Sequence, residues 1–112
     1  MSISISMFST CISLTEVVIP SNIKIIGWNA FGSCYSLTTV RMEEGVETIG
    51  GEAFMDCSNL TDVYIPRSVI SIDDTVFHFV DATTQITIHG YAGSYAETYA
   101  IKSNINFEVI EE

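Results

Sequence analysis

Four phenylalanines share one interval: Phe8, Phe31, Phe54 and Phe77 follow one another at steps of 23 residues. The same step carries Cys11 to Cys34 to Cys57 and then to Val80, and Leu14 to Leu37 to Leu60 and then to Thr83. Further rows run Val17, Val40, Val63, Ile86; then Ile19, Met42, Ile65, Ile88; then Ile23, Val46, Val69, Ala92; and finally Ile26, Ile49, Ile72. The residues between the rows vary among Thr, Glu, Asp, Ser and Arg. A period of this length belongs to stacked coils, because one short unit cannot bury an apolar face until a neighbour covers it. The rows are therefore the inward positions, with Phe8, Phe31, Phe54, Phe77, Cys11, Cys34, Cys57, Leu14, Leu37 and Leu60 as structural residues. The ruler divides the chain into a single repeat domain over 1–112. It has a partial coil at 1–7, coils near 8–30, 31–53 and 54–76, a degenerate coil at 77–92, and a C-terminal cap at 93–112.

Within a coil, Leu37-x-x-Val40-x-Met42 and Leu60-x-x-Val63-x-Ile65 alternate with period two and are rich in β-branched residues, which predicts short parallel strands near 16–19, 39–42, 62–65 and 85–88. Turns follow at Pro20-Ser21-Asn22, Glu44-Gly45 and Pro66-Arg67-Ser68. The other half of each coil reads Ile26-Gly27-x-x-Ala30-Phe31 and Ile49-Gly50-x-x-Ala53-Phe54, for which short helical or 3-10 turns are expected.

The spacing Ala53-Phe54-x-x-Cys57-x-x-Leu60-x-x-Val63-x-Ile65-Pro66-x-x-Val69-x-x-Ile72, and its counterpart Ala30-Phe31-x-x-Cys34-x-x-Leu37-x-x-Val40, resemble the BspA-type bacterial leucine-rich repeats over about residues 3–92. Glu43 in place of Pro, Asp73 in place of Gly and Val80 in place of Cys depart from that pattern. The resemblance implies a right-handed leucine-rich-repeat solenoid, mainly parallel β. It also implies a place on the cell surface or among secreted proteins, where such repeats have proposed roles in adhesion and protein binding. This chain would be the C-terminal part of such an array.

Both ends of a solenoid need covering. Ser94-x-x-Glu97 is a capping box, and Ala96, Tyr99 and Ala100 recur at helical spacing with Tyr95, so a helix is expected over 94–103, ending at Ser103-Asn104. Ile105-x-Phe107-x-Val109 then alternates as one more strand. At the other end, stepping back 23 residues from Ile26 reaches Ile3, so Met1 starts halfway through a coil. This is expected of a fragment of a longer array, and it makes the exposed start at Ile3 and Ile5 a candidate for self-association.

Acidic residues outnumber basic ones 14 to 4, for a formal charge of −10, which repels phosphate backbones and anionic lipid. Nucleic acid is not an expected partner, and no apolar run is long enough for direct membrane insertion. Residues 1–20 lack Lys and Arg, so the basic start of a secretory signal is not expected within them.

Catalysis has little to work with. His78 and His89 lie in the degenerate coil, His89 at the turn position of Pro20 and Pro66, and both read as exposed turn residues. Three cysteines in one inward row, with no C-x-x-C or Cys/His spacing, read as buried thiols rather than as a disulfide or zinc set. Glu43, Glu44 and Glu47, and Asp73 and Asp74, lack a calcium-loop pattern, so no metal or other cofactor is assigned. The column Thr15, Thr38, Thr61, Thr84 reads as a hydroxyl ladder between coils. What remains is the outward face of the sheet, with rows Glu16, Thr39, Asp62, Gln85 and Val18, Arg41, Tyr64, Thr87, where Arg41 and Tyr64 are adjacent. That face is the expected binding surface of a non-enzymatic protein-binding or adhesion module. The alternative is a structural spacer supporting an upstream functional domain.

Overall fold

The computed structural model describes residues 2–3, 13–77 and 86–110. Phe8, Cys11, His78, Val80, Thr84 and Gln85 lie outside the described residues. The elements are β1 (Ser2–Ile3), β2 (Glu16–Ile19), β3 (Ile25–Ile26), β4 (Thr39–Met42), β5 (Thr48–Ile49), β6 (Asp62–Tyr64), β7 (Ser71–Ile72), β8 (Thr87–Gly90), α1 (Tyr95–Ser103) and β9 (Asn106–Val109). They form a solenoid of two parallel sheets, one of order β2-β4-β6-β8-β9 and a narrower one of order β1-β3-β5-β7.

The 23-residue step sets the register: Val17 pairs with Val40, Val40 with Val63, Ile26 with Ile49, and Ile49 with Ile72. It also places Ile3 beside Ile26, where the period put it. The inward rows make one core, with Val40, Val63, Leu37, Leu60, Cys34 and Cys57 fully buried. Phe31, Phe54 and Phe77 stack ring on ring, with centroids 5.4 and 6.1 Å apart. Offset aromatic stacking adds attraction beyond the area buried. Leu14 packs on this core half-buried. Cys34 and Cys57 are free and buried, and the Cys57 thiol donates to the Phe31 carbonyl at 3.1 Å. Hydrogen bonding to Cys34 and burial together push the Cys57 thiol far above its ordinary range. Both effects disfavour the thiolate.

The expected helical turns after Ile26 and Ile49 are absent from the described coils. Instead, each coil has a two-residue strand followed by tight turns, closed by bonds such as Ala30 N to Gly27 O and Ala53 N to Gly50 O. Asn29 and Ser33, and their counterparts 23 residues on, Glu52 and Asp56, have φ near +60°. A left-handed residue every few positions stops any helix from propagating. The amides thus freed point along the stack: Asn29 N donates to Gly51 O, Phe31 N to Ala53 O and Ser33 N to Met55 O.

The fourth coil slips. Asp62 pairs with Thr87, Val63 with Ile88 and Tyr64 with His89, a step of 25 where the earlier coils use 23. The Phe54–Phe77 stack still follows 23, so two extra residues fall between Phe77 and Thr87. The fourth strand is therefore Thr87–Gly90 instead of 85–88, the Val63 row continues to Ile88 instead of Ile86, and Thr87 stands in the row of Asp62 instead of that of Tyr64. Ala92, expected inward, is exposed.

The cap forms as its sequence indicates. Ser94 is the N-cap of α1 and accepts from Glu97 N at 3.3 Å, while the Glu97 carboxylate takes the Gly93 amide at 2.9 Å, one residue earlier than a standard capping box. Asn104, in the left-handed region, closes the helix. Ala96, Tyr99 and Ala100 face the stack, whereas Tyr95 stays exposed. Gly90 makes this possible, because a Cβ there would stand 3.1 Å from the Phe107 ring and 3.2 Å from Ala96. β9 then pairs parallel with β8, setting Ile88 beside Phe107.

Candidate functional site

The outward face of the five-stranded sheet carries a column of stacked planar groups. Arg41 on β4 lays its guanidinium 4.2 Å from the centre of the Tyr64 ring on β6. The opposite face of Tyr64 stacks on the His89 ring of β8, with centroids 4.2 Å apart and planes 11° from parallel. Register alone brings them together: outward residues at matched positions on parallel strands sit about 4.8 Å apart, close to the spacing of stacked rings.

Carboxylates flank both ends. Glu16 on β2 accepts from Arg41 Nε at 3.1 Å, and that bond raises the guanidinium pKa further above its ordinary value. At the other end, His89 Nε2 lies 2.8 Å from Asp62 Oδ1, and His89 Nδ1 lies 3.6 Å from Glu108 Oε1 on β9. The Thr61 hydroxyl donates to Asp62 Oδ2 at 2.9 Å. The bond to His89 comes first, ahead of the one from Thr61, in holding the Asp62 carboxyl below the usual carboxylate range. The column is graded in access: Arg41 is half exposed, Tyr64 partly so, and His89 only 9% exposed. Its most exposed end is the Arg41–Glu16 ion pair.

Seven of the eight residues assigned to this face lie among the described residues. Arg41, Tyr64, Asp62 and Glu16 join in the network, Thr39 and Thr87 line the Asp62 row, and Val18, 52% exposed, begins the Arg41 row. His89 is the member that sequence reasoning misplaced. It is a buried strand residue and not an exposed turn residue, because the two-residue slip carries it into the row of Tyr64. The period-two pattern gives no warning, since a shift of two keeps every side chain on its own face. Glu108 entered through β9, whose pairing with β8 the repeat ruler does not reach.

Three further acidic side chains, Glu43, Glu44 and Asp73, are occupied by groups of the turns. Glu44 accepts from Arg67 N and Ser68 N, Glu43 from Ser21 N, and Asp73 from the Thr75 amide and hydroxyl. Lys24 and Glu47 face each other on the surface at 4.0 Å. In the Thr column, Thr38 Oγ1 donates to Thr15 O at 3.1 Å, whereas the Thr61 hydroxyl lies 3.2 Å from Thr38 O and shares its one proton between that carbonyl and the nearer Asp62 carboxylate. Among the described residues, no group of three His, Cys, Asp or Glu side chains is placed to hold a metal ion, and no helix is long and apolar enough to cross a membrane.

No match was found among curated protein sequences. Among solved structures, the fold is similar to the pneumococcal vaccine antigen PcpA, at 25% identity and TM-score 0.63, over 72% of this chain and 20% of that one. It is also similar to a leucine-rich cell surface protein from Faecalibacterium prausnitzii A2-165, at 21% identity and TM-score 0.49, over 88% of this chain and 33% of that one. The chain thus spans a fifth and a third of their lengths. The BspA type leucine rich repeat region matches residues 1–110 in 6 copies. Solenoid, register and sequence pattern agree: the chain belongs to the BspA-type leucine-rich-repeat family.

Proposed function

We propose that this chain is a protein-binding or adhesion module, without catalysis of its own, of a bacterial surface or secreted protein. The outward face of the five-stranded sheet does the binding. One observation carries the reading: the Arg41–Tyr64–His89 column, an exposed guanidinium backed by two buried or half-buried rings and flanked by Glu16, Asp62 and Glu108. Arg and Tyr are the residue types that most often anchor interfaces. Here their side chains are already ordered before a partner arrives, so less entropy is lost on contact. The likeness to a vaccine antigen supports a surface setting.

The test is surface plasmon resonance of the purified chain over immobilised host extracellular proteins and bacterial surface extracts, repeated with variants. Arg41→Ala and Tyr64→Ala should each weaken any binding at least tenfold while leaving thermal unfolding cooperative. Glu52→Asn and Asp56→Asn, on the turn wall, keep residues that tolerate the left-handed backbone found there and should bind as the parent does. Equal loss from both sets would move the binding surface off the sheet.

A further inference from the structure

Beside the column, at the C-terminal ends of β4 and β6, lies a cleft of about 280 Å³. Met42, Ile65, Pro66 and Ile110 supply its apolar lining, and the rings of Tyr64 and Tyr91 stand at it as well. Tyr91 is fixed from outside by Arg67, whose guanidinium lies 3.9 Å from the ring centre. Glu43 and Glu44 complete the lining. Their carboxylates are held in place by backbone amides: Glu43 Oε1 by Ser21 N at 3.2 Å, Glu44 Oε2 by Arg67 N at 3.1 Å and Glu44 Oε1 by Ser68 N at 3.2 Å.

We infer that this cleft seats the side chain of a lysine presented by an extended, basic segment of the partner protein. The inference rests on the proposed binding role of the adjoining sheet face. Size is the first ground, since small-molecule sites run to about 300–1,000 Å³ and this cleft falls just below them, at the scale of one long side chain. Chemistry is the second. An apolar lining ending in carboxylates matches a side chain that buries a hydrocarbon stem and keeps a charged tip. A carboxylate accepts about four hydrogen bonds, so Glu43 and Glu44 retain lone pairs for an ammonium. Both oxygens of Glu44 already hold a backbone amide, which obstructs the two-oxygen face a guanidinium fork prefers, and a compact point charge suits what is left. Charge is the third: with a formal charge of −10, the chain attracts a basic segment and steers it inward.

The probe is the peptide acetyl-Gly-Gly-Lys-Gly-Gly-amide, titrated into the ¹⁵N-labelled chain and followed by NMR. Norleucine and arginine versions serve as comparisons. The expected result is millimolar binding with shifts centred on Tyr64, Ile65, Tyr91 and Ile110, at least fivefold weaker for norleucine, and weaker for arginine than for lysine. Glu43→Gln should weaken it at least threefold and Ile110→Trp, which fills the cleft, should abolish it; the amide spectrum of each variant reports whether the fold is kept. Norleucine binding as tightly as lysine, or shifts spread over the acidic surface that persist in Ile110→Trp, would overturn the inference. Arg41→Ala separates the two readings. If it abolishes partner binding while the lysine peptide fails to seat, the sheet face stands and the lysine cleft falls. If the peptide seats and Arg41→Ala leaves partner binding unchanged, the sheet assignment falls instead.

Discussion

Asp62 joins three strands through one carboxylate, since its Oδ1 meets His89 on β8, which also faces Glu108 on β9. Because its folded pKa is depressed, first by His89 and then by Thr61, its contribution is present above the unfolded value of about 3.9 and is lost as pH falls through the folded value. The side chain is 40% exposed, so solvent screens the effect and it will be modest. Urea midpoints measured between pH 5.5 and 2.5 should fall as the solution is acidified, and Asp62→Asn should flatten that fall while lowering stability at pH 7. An acid limb of unchanged slope would show that the bond to His89 contributes nothing to folding. At this scale the sequence was legible where the 23-residue ruler holds: Arg41 and Tyr64 stand in one row because 64 exceeds 41 by 23. His89 was not legible, because its place depends on where two inserted residues fall, and every strand register that differs by two satisfies the same alternation.

The turns between sheets show what a single residue does for an element. Gly45 has φ +127°, and a Cβ there would sit 2.2 Å from the Ser21 carbonyl oxygen in the coil below. Its amide is held by Ser68 Oγ at 2.9 Å, and the same hydroxyl donates to Val46 O at 2.7 Å. Gly45→Ala forces both a disfavoured backbone and a clash with main chain that cannot step aside, and should cost about 2–3 kcal/mol. Ser68→Ala removes two hydrogen bonds of ordinary worth and should cost about 1–2 kcal/mol. Urea denaturation of the two variants checks the order, and Gly45→Ala costing no more than Ser68→Ala would mean the turn relaxes freely. Strands and cap were readable as elements because their signals are local: alternation for β2, β4 and β6, and Ser94 with Glu97 for α1. The turn wall was not, since left-handed residues such as Ser33 and Glu52 are of types that carry no such mark, unlike Asn29 and Asp56. In that backbone the Asn29 and Ser33 amides donate to Gly51 O and Met55 O of the next coil, and the Glu52 amide to Thr75 Oγ1.

Across the whole molecule, each coil touches only its neighbours, so a disturbance should fade along the stack. The cap offers a place to apply one. Ser94→Ala removes the acceptor for Glu97 N and should weaken α1 by about 1 kcal/mol. Three amides then report at increasing distance: Ile105 N, bonded to Ala100 O at 2.9 Å within the cap; Ile65 N, bonded to His89 O at 2.9 Å one strand inward; and Thr38 N, bonded to Thr15 O at 2.8 Å near the far end. Hydrogen exchange in the variant should accelerate most at Ile105, less at Ile65, and not measurably at Thr38. Such a gradient is the signature of local openings linked by nearest-neighbour interfaces. The continuous Phe31–Phe54–Phe77 stack argues for the opposite limit, a core so shared that it opens only as a whole. In that case all three amides accelerate by the same factor, about fivefold for 1 kcal/mol. The ratio of Ile105 to Thr38 decides between a chain of coupled coils and a single cooperative block. It also fixes how far a partner at the proposed Arg41 and Tyr64 surface would stabilise the other coils of this chain.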